Sequence, residues 1–214
     1  MIPEESMKGL ILEGIPGAGK TVLLNHLLPR LTNVHRGPLW IATEHITERV
    51  LEPLRTTTAE ETSKHLRSHL LHLDQLQAWS KSAPPGKNTS PIFILERFHL
   101  SAAVHIADIS PSFSSFDEAL QTYETTLVWC RIPPNKILQK SVRETIATRN
   151  PHWLAFLQTL GKTETEIASH FLEEQNQFEH FFQESHLPKQ SLEIDPSNLT
   201  THLSHLISIL ELSS

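Results

Sequence analysis

Short apolar runs separated by longer stretches of three-to-four periodicity organise this chain. The first run, Leu10-Ile11-Leu12, is continuous rather than alternating, as in a parallel strand buried on both faces. Four later runs share that character: 38–43 (PLWIAT), 91–95 (PIFIL), 126–132 (TLVWCRI) and 190–195 (QSLEID). Helical periodicity fills 22–28, 59–80, 134–147, 163–185 and 197–211. The stretch 163–185 opens on Thr163-Glu-Thr-Glu166, a capping pattern, and sets Ile167, Phe171, Phe178 and Phe182 on one face. Strands alternating with helices predict an α/β fold built on a parallel sheet with right-handed crossovers. The Pro/Gly-rich break at 82–90 reads as a loop rather than a linker, so one domain over 1–214 is expected. Ligands of such sheets collect at the carboxyl ends of the strands.

Directly after the first run stands Gly14-Ile15-Pro16-Gly17-Ala18-Gly19-Lys20-Thr21, a full match to G-x-x-x-x-G-K-[ST]. Glycines let successive backbone N–H groups turn inward on one anion, at dihedrals a Cβ obstructs. Lys20 supplies a positive charge for the outer phosphates, and the Thr21 hydroxyl is placed to ligate Mg²⁺. The helix that follows would present its positive end to the same anion. A nucleotide site with ATP and Mg²⁺ as cofactors is the expectation.

The other strand ends carry the remaining candidates. Glu44, after the second strand, would stand at the mouth of the crevice and could take the proton of an attacking hydroxyl. Glu96 ends the third strand, where a carboxylate can hold Mg²⁺ beside Thr21, and Arg97 next to it can clamp a phosphate oxygen. After the fourth strand, Pro133-Pro134 leads into a segment bearing Lys140, Arg143 and Arg149. A lid over about 141–151 is expected, its arginines Arg143 and Arg149 neutralising charge as it develops.

The run 10–21, Leu95-Glu-Arg-Phe98 with Ser101 and Ala102, the Ile132-Pro-Pro134 lead into arginines, and the late Ile194-Asp195 resemble the thymidylate kinase and deoxynucleoside kinase group. The resemblance runs in order along nearly the whole chain. It implies a five-stranded parallel sheet flanked by helices, with a lid. It also implies that Glu44 is the base that activates an acceptor hydroxyl. Thymidylate kinases carry Arg-Glu-Pro at that place, and the Arg and Pro are absent from Thr43-Glu44-His45. An acceptor monophosphate would therefore need another cation, with Arg49 and Arg55 the candidates. In the group, the helix before the third strand lines the acceptor pocket. Gln75 or Gln77 would read a base edge there, and Trp79, Phe98 or Phe113 would stack on a ring. Homodimers are common in the group.

Composition narrows the alternatives. Eighteen Lys+Arg against 24 Asp+Glu leave a net charge of −6, unfavourable for a nucleic-acid polymer as main partner. The single cysteine, Cys130, rules out an intramolecular disulfide framework, and its place in an apolar strand suits packing. With neither a basic-then-apolar leader nor a membrane-length apolar run in the sequence, a soluble cytoplasmic protein is expected. The fourteen histidines include His65, His69 and His72 on one helical face and His202 and His205 on another, without paired cysteines or HExxH. They read as scattered surface residues. The Asn-Lys-x-Asp guanine reader and the Asp-x-x-Gly of GTPase switches are absent, and the third strand ends Glu-Arg instead of the Asp-Glu of ATPase motors. The sequence therefore favours a small-molecule kinase acting on a hydroxyl-bearing acceptor. A nucleoside monophosphate kinase and a non-catalytic nucleotide-binding module stay open as alternatives.

Overall fold

The computed structural model of the chain describes residues 7–47, 58–82, 90–106 and 110–210, apart from the side chains of residues 45, 46 and 110–113. Five strands, β1 (Lys8–Glu13), β2 (Leu39–Ala42), β3 (Ile92–Glu96), β4 (Thr125–Cys130) and β5 (Lys189–Leu192), form one sheet in the order β2-β3-β1-β4-β5. Every pairing is parallel, with Leu10 opposite Ile94 on one side and Thr126 on the other. β1 is thus central, and Leu10, Ile11 and Leu12 are fully buried, as their unbroken apolar run predicts.

The flanking helices are α1 (Lys20–Val34), the single turn α2 (Glu44–Thr47), α3 (Ala59–Lys81), α4 (His99–His105), α5 (Ser110–Gln121), α6 (Glu144–Thr148), α7 (Pro151–Leu160), α8 (Glu164–Glu184) and α9 (Leu199–Ile209). The expected face of α8 is buried through Ile167, Phe171, Phe178 and Phe182. Its start is the capping box read from the sequence: Thr163 Oγ1 accepts from the Glu166 amide, and Glu166 accepts from the Thr163 amide at 3.1 Å. Its end is closed by Lys189, whose ammonium donates to the carbonyls of Phe182, Gln183 and Ser185. The Gln175 amide side chain pairs with both backbone groups of Ile132, holding the exit of β4.

The stretch 134–147 departs from a simple helix. It begins as a 3₁₀ turn at Pro134–Lys136, widens into a π-helix over Leu138–Arg143 and only then becomes α6. Ser141 and Val142 in the wide segment are fully buried, so this part of the expected lid is packed core. Among the described residues, no helix is long and apolar enough to cross a membrane.

Thr163→Ala removes one half of the α8 capping box and is expected to cost about 1 kcal/mol. A drop in Tm of about 2–4 °C in a thermal melt checks it; an unchanged Tm would leave the box without energetic weight.

Candidate active site

The phosphate loop sits at the carboxyl end of central β1, where its neighbours β3 and β4 also end. Gly14 (φ 136°), Gly17 (φ 83°) and Gly19 (φ 87°) hold the left-handed conformations expected of the motif. A methyl group on Gly14 would collide with the Cys130 carbonyl, so the loop runs hard against the end of β4. The ammonium of Lys20 folds back to donate to the carbonyls of Gly14 (2.6 Å) and Ile15 (3.2 Å). Burial, aided by the charge of Arg97, lowers its pKa to about 8.

Three strand ends converge beside Lys20. The Thr21 hydroxyl donates to Glu96 Oε1 at 3.0 Å, and the amide of Glu44 lies 3.5 Å from Glu96 Oε2. Arg97 Nε stands 3.3 Å from Glu44 Oε2, with both side chains largely buried. Thr47 Oγ1 donates to the Glu96 carbonyl at 2.5 Å, fastening α2 over the end of β3. Arg97 itself has φ 56°, a left-handed conformation that a non-glycine residue holds only when its surroundings over-determine it.

The constraint on that turn comes from a residue the sequence reading did not single out. Glu13, the last residue of β1, is fully buried. Its carboxylate accepts from the amides of Phe98 (2.8 Å), Leu100 (3.0 Å) and Ser101 (3.4 Å) and from the Ser101 hydroxyl (2.6 Å). An acidic residue ending an apolar strand immediately before a phosphate loop was the available signal. Its partners, more than eighty residues away, were not.

The lid arginines are engaged with residues of the helices that follow. Arg143 is about half exposed and pairs with Glu164 at 2.8 Å, while the Arg149 guanidinium lies 4.1 Å over the ring of Trp153. The expected acceptor wall also shifts. Asp74 of α3 takes a hydrogen bond from Tyr123, which precedes β4 at the amino end of the sheet. Gln75 and Gln77, beside Asp74, and Trp79, 53 % exposed, therefore belong to the end of α3 away from the phosphate loop. A crossover helix runs antiparallel to its strands, so its first turns, not its last, reach the carboxyl ends. Phe98 is 1 % exposed, its ring packed edge-on against His69 and Phe116, with no open face to offer a base. Phe113 (by its side chain), Arg49 and Arg55 lie outside the described residues.

The half of α3 that does approach the site carries Thr62, whose buried hydroxyl has no partner among the described residues, together with His65 and His69. His65 Nε2 lies 3.3 Å from His69 Nε2, and the Trp40 ring packs beside His69 and His72. On this face His69 is thus buried and packed against His65, while His72 stays exposed at the surface. Among the described residues, no group of three or more His, Cys, Asp or Glu side chains is placed to hold a metal ion. Cys130 is buried, which pushes its thiol up to about 12 and leaves it unreactive.

The sheet order, the central phosphate loop and the flanking helices define the P-loop kinase fold. The YorR protein from Bacillus subtilis, solved in complex with phosphorylated GDP, is similar over 95% of this chain and 96% of its own, with 14% identity and a TM-score of 0.55. Deoxyadenosine kinase from M. mycoides with bound dATP is similar over 95% of this chain and 99% of its own, with 12% identity and a TM-score of 0.50. No protein-family model matches the sequence, and comparison with curated proteins returns no match.

Lys20 should leave a signature in stability. Between its folded value near 8 and the ordinary 10.5, the unfolded chain binds more protons, so stability rises with pH in that window. Below about pH 8 the burial penalty is present in full. Relative to Lys20→Met, the wild type should gain about 3 kcal/mol from pH 8 to 10.5. Urea unfolding of both proteins across that range measures it; a constant difference would contradict the buried ammonium.

Proposed function

We propose that this protein is an ATP-dependent kinase that transfers the γ-phosphoryl group to a hydroxyl of a small molecule, most plainly a nucleoside or nucleoside-like compound. The observation that carries the proposal is the meeting of Thr21, Glu96, Glu44 and Arg97 beside the phosphate loop. A loop that only binds nucleotide needs the first two; a carboxylate and guanidinium at the crevice mouth suit a second reactant. The P-loop kinase fold and the nucleotides bound to YorR and to deoxyadenosine kinase support the nucleotide part of the reading.

Thr21 Oγ1 and Glu96 Oε1 are hard oxygen donors 3.0 Å apart, the donor chemistry Mg²⁺ selects. Mg²⁺ held there would neutralise phosphate charge during transfer. The loop amides and Lys20 would hold the β- and γ-phosphates, drawing the ammonium from the carbonyls of Gly14 and Ile15. Glu44, oriented by Arg97, would accept the acceptor's hydroxyl proton as the new O–P bond forms and the bond to the ADP oxygen breaks. Arg97 would then face the transferred group. The acceptor would lie between the Glu44–Arg97 pair and the first half of α3, where Thr62, His65 and His69 offer hydrogen bonds.

Purified protein with Mg-ATP and a panel of nucleosides, nucleoside monophosphates and other hydroxyl compounds tests the reading, with products identified by mass. A phosphorylated alcohol is the expected product. Phosphorylation of monophosphates alone would replace the hydroxyl reading by a nucleotide kinase, and ATP binding without any product would favour a binding module. In Glu44→Gln, Mg-ATP binding should persist while transfer falls about 100-fold or more. Undiminished turnover would remove Glu44 from the chemistry.

A further inference from the structure

An unbroken series of hydrogen bonds runs from the phosphate loop to α7. Ser141 Oγ, in the π-helical segment, donates to the Pro16 carbonyl at 2.7 Å. The Ser141 carbonyl accepts from Thr145 Oγ1 at 2.6 Å, and Thr145 Oγ1 accepts from the indole N–H of Trp153 at 2.9 Å. The Trp153 ring carries Arg149 on its face. Ser141 and Thr145 are both buried, so water does not compete for these bonds. At Gly17 a methyl group would lie 2.5 Å from the Lys140 carbonyl, leaving no room between loop and π-helix. Single π-helical turns are rare and concentrate at functional sites.

Peptide planarity gives the first bond its consequence. The carbonyl of Pro16 and the N–H of Gly17 belong to one rigid peptide and point in opposite directions. Fixing the carbonyl on Ser141 therefore fixes the Gly17 N–H pointing away from the π-helix. A loop whose amides are set before the ligand arrives binds anions at a lower ordering cost. At the far end of the series stands Arg149, its guanidinium over the Trp153 ring.

We propose that Ser141 is a positioning residue for the phosphate loop, and that the Ser141–Thr145–Trp153 relay couples nucleoside triphosphate in the loop to the placement of Arg149. This rests on the reading that the loop binds a nucleoside triphosphate. A ligand that moves the Pro16–Gly17 peptide moves Ser141, and through Thr145 the indole on which Arg149 rests.

The test uses full-length protein labelled with fluorotryptophan, whose four tryptophans give four ¹⁹F resonances. The Trp153 signal is assigned by its loss in Trp153→Phe. Titration with Mg-ATP is expected to shift the Trp153 resonance in the wild type. Ser141→Ala should abolish that shift and weaken Mg-ATP binding by about five- to tenfold, the loss of one buried hydrogen bond. Thr145→Val, of the same shape without the hydroxyl, should also abolish the shift, and Thr145→Ser should restore it. The Thr145 pair keeps the test decisive if Ser141→Ala does not fold. Wild-type affinity in Ser141→Ala, or a full Trp153 shift in Thr145→Val, would overturn the relay while leaving the nucleotide reading intact. Failure of the wild type to bind Mg-ATP at all would overturn both.

Discussion

A carboxylate fully enclosed in protein is tolerable only when donors surround it, and Glu13 has four. That one group joins the end of the central strand, where the phosphate loop begins, to the turn after β3, where Glu96 and Arg97 stand. It also supplies the negative charge at the start of α4, which has no capping side chain of its own. The left-handed Arg97 follows from this closure. The Arg97 amide is bonded to the Leu12 carbonyl and the amides of Phe98, Leu100 and Ser101 to Glu13, so the chain between them has one way to turn.

Around that frame the charges of the site hold one another in check. Lys20 and Arg97 are the buried cations, Glu44 and Glu96 the carboxylates that face them. Lys20 spends its hydrogen bonds on loop carbonyls and is partly destabilised as an ammonium, while Thr21 rests on the carboxylate suited to a metal ion. Each of these contacts engages a group that an incoming phosphate or cation would claim, and bound ligand would relieve the desolvation that Lys20 now bears.

The π-helical segment adds a second support from the opposite side of the loop. Glu13 fixes what lies between β1 and β3; Ser141 and the Lys140 carbonyl close the space over Pro16 and Gly17. The segment expected to be a lid is therefore part anchor, and its arginines fall in the later portion, Arg143 exposed and Arg149 half-buried. Arg143 is engaged in an ion pair and Arg149 on an aromatic face, arrangements of modest strength near the surface.

The sequence by itself determined the five parallel strands, the phosphate loop and the N-terminal cap of α8, because each is written in contiguous residues. An unbroken apolar run, a glycine pattern and a Thr-x-x-Glu box report physics that acts within a few positions. The strand-end candidates Glu44, Glu96 and Arg97 were legible for a related reason: a parallel sheet brings every strand's carboxyl end to one edge. What reaches across the chain was decided by the tertiary structure. α4 exists through a carboxylate eighty-five residues earlier, the π-helix through its packing on the loop, and Phe98 is covered by residues from α3 and α5. Gln75 and Trp79, expected at an acceptor wall, lie at the far end of α3, because a crossover helix runs antiparallel to its strands and brings Thr62, His65 and His69 to their carboxyl ends instead. Local patterning settles which elements form; only their packing settles which side chains meet, because those contacts are made between residues that no short stretch of sequence contains.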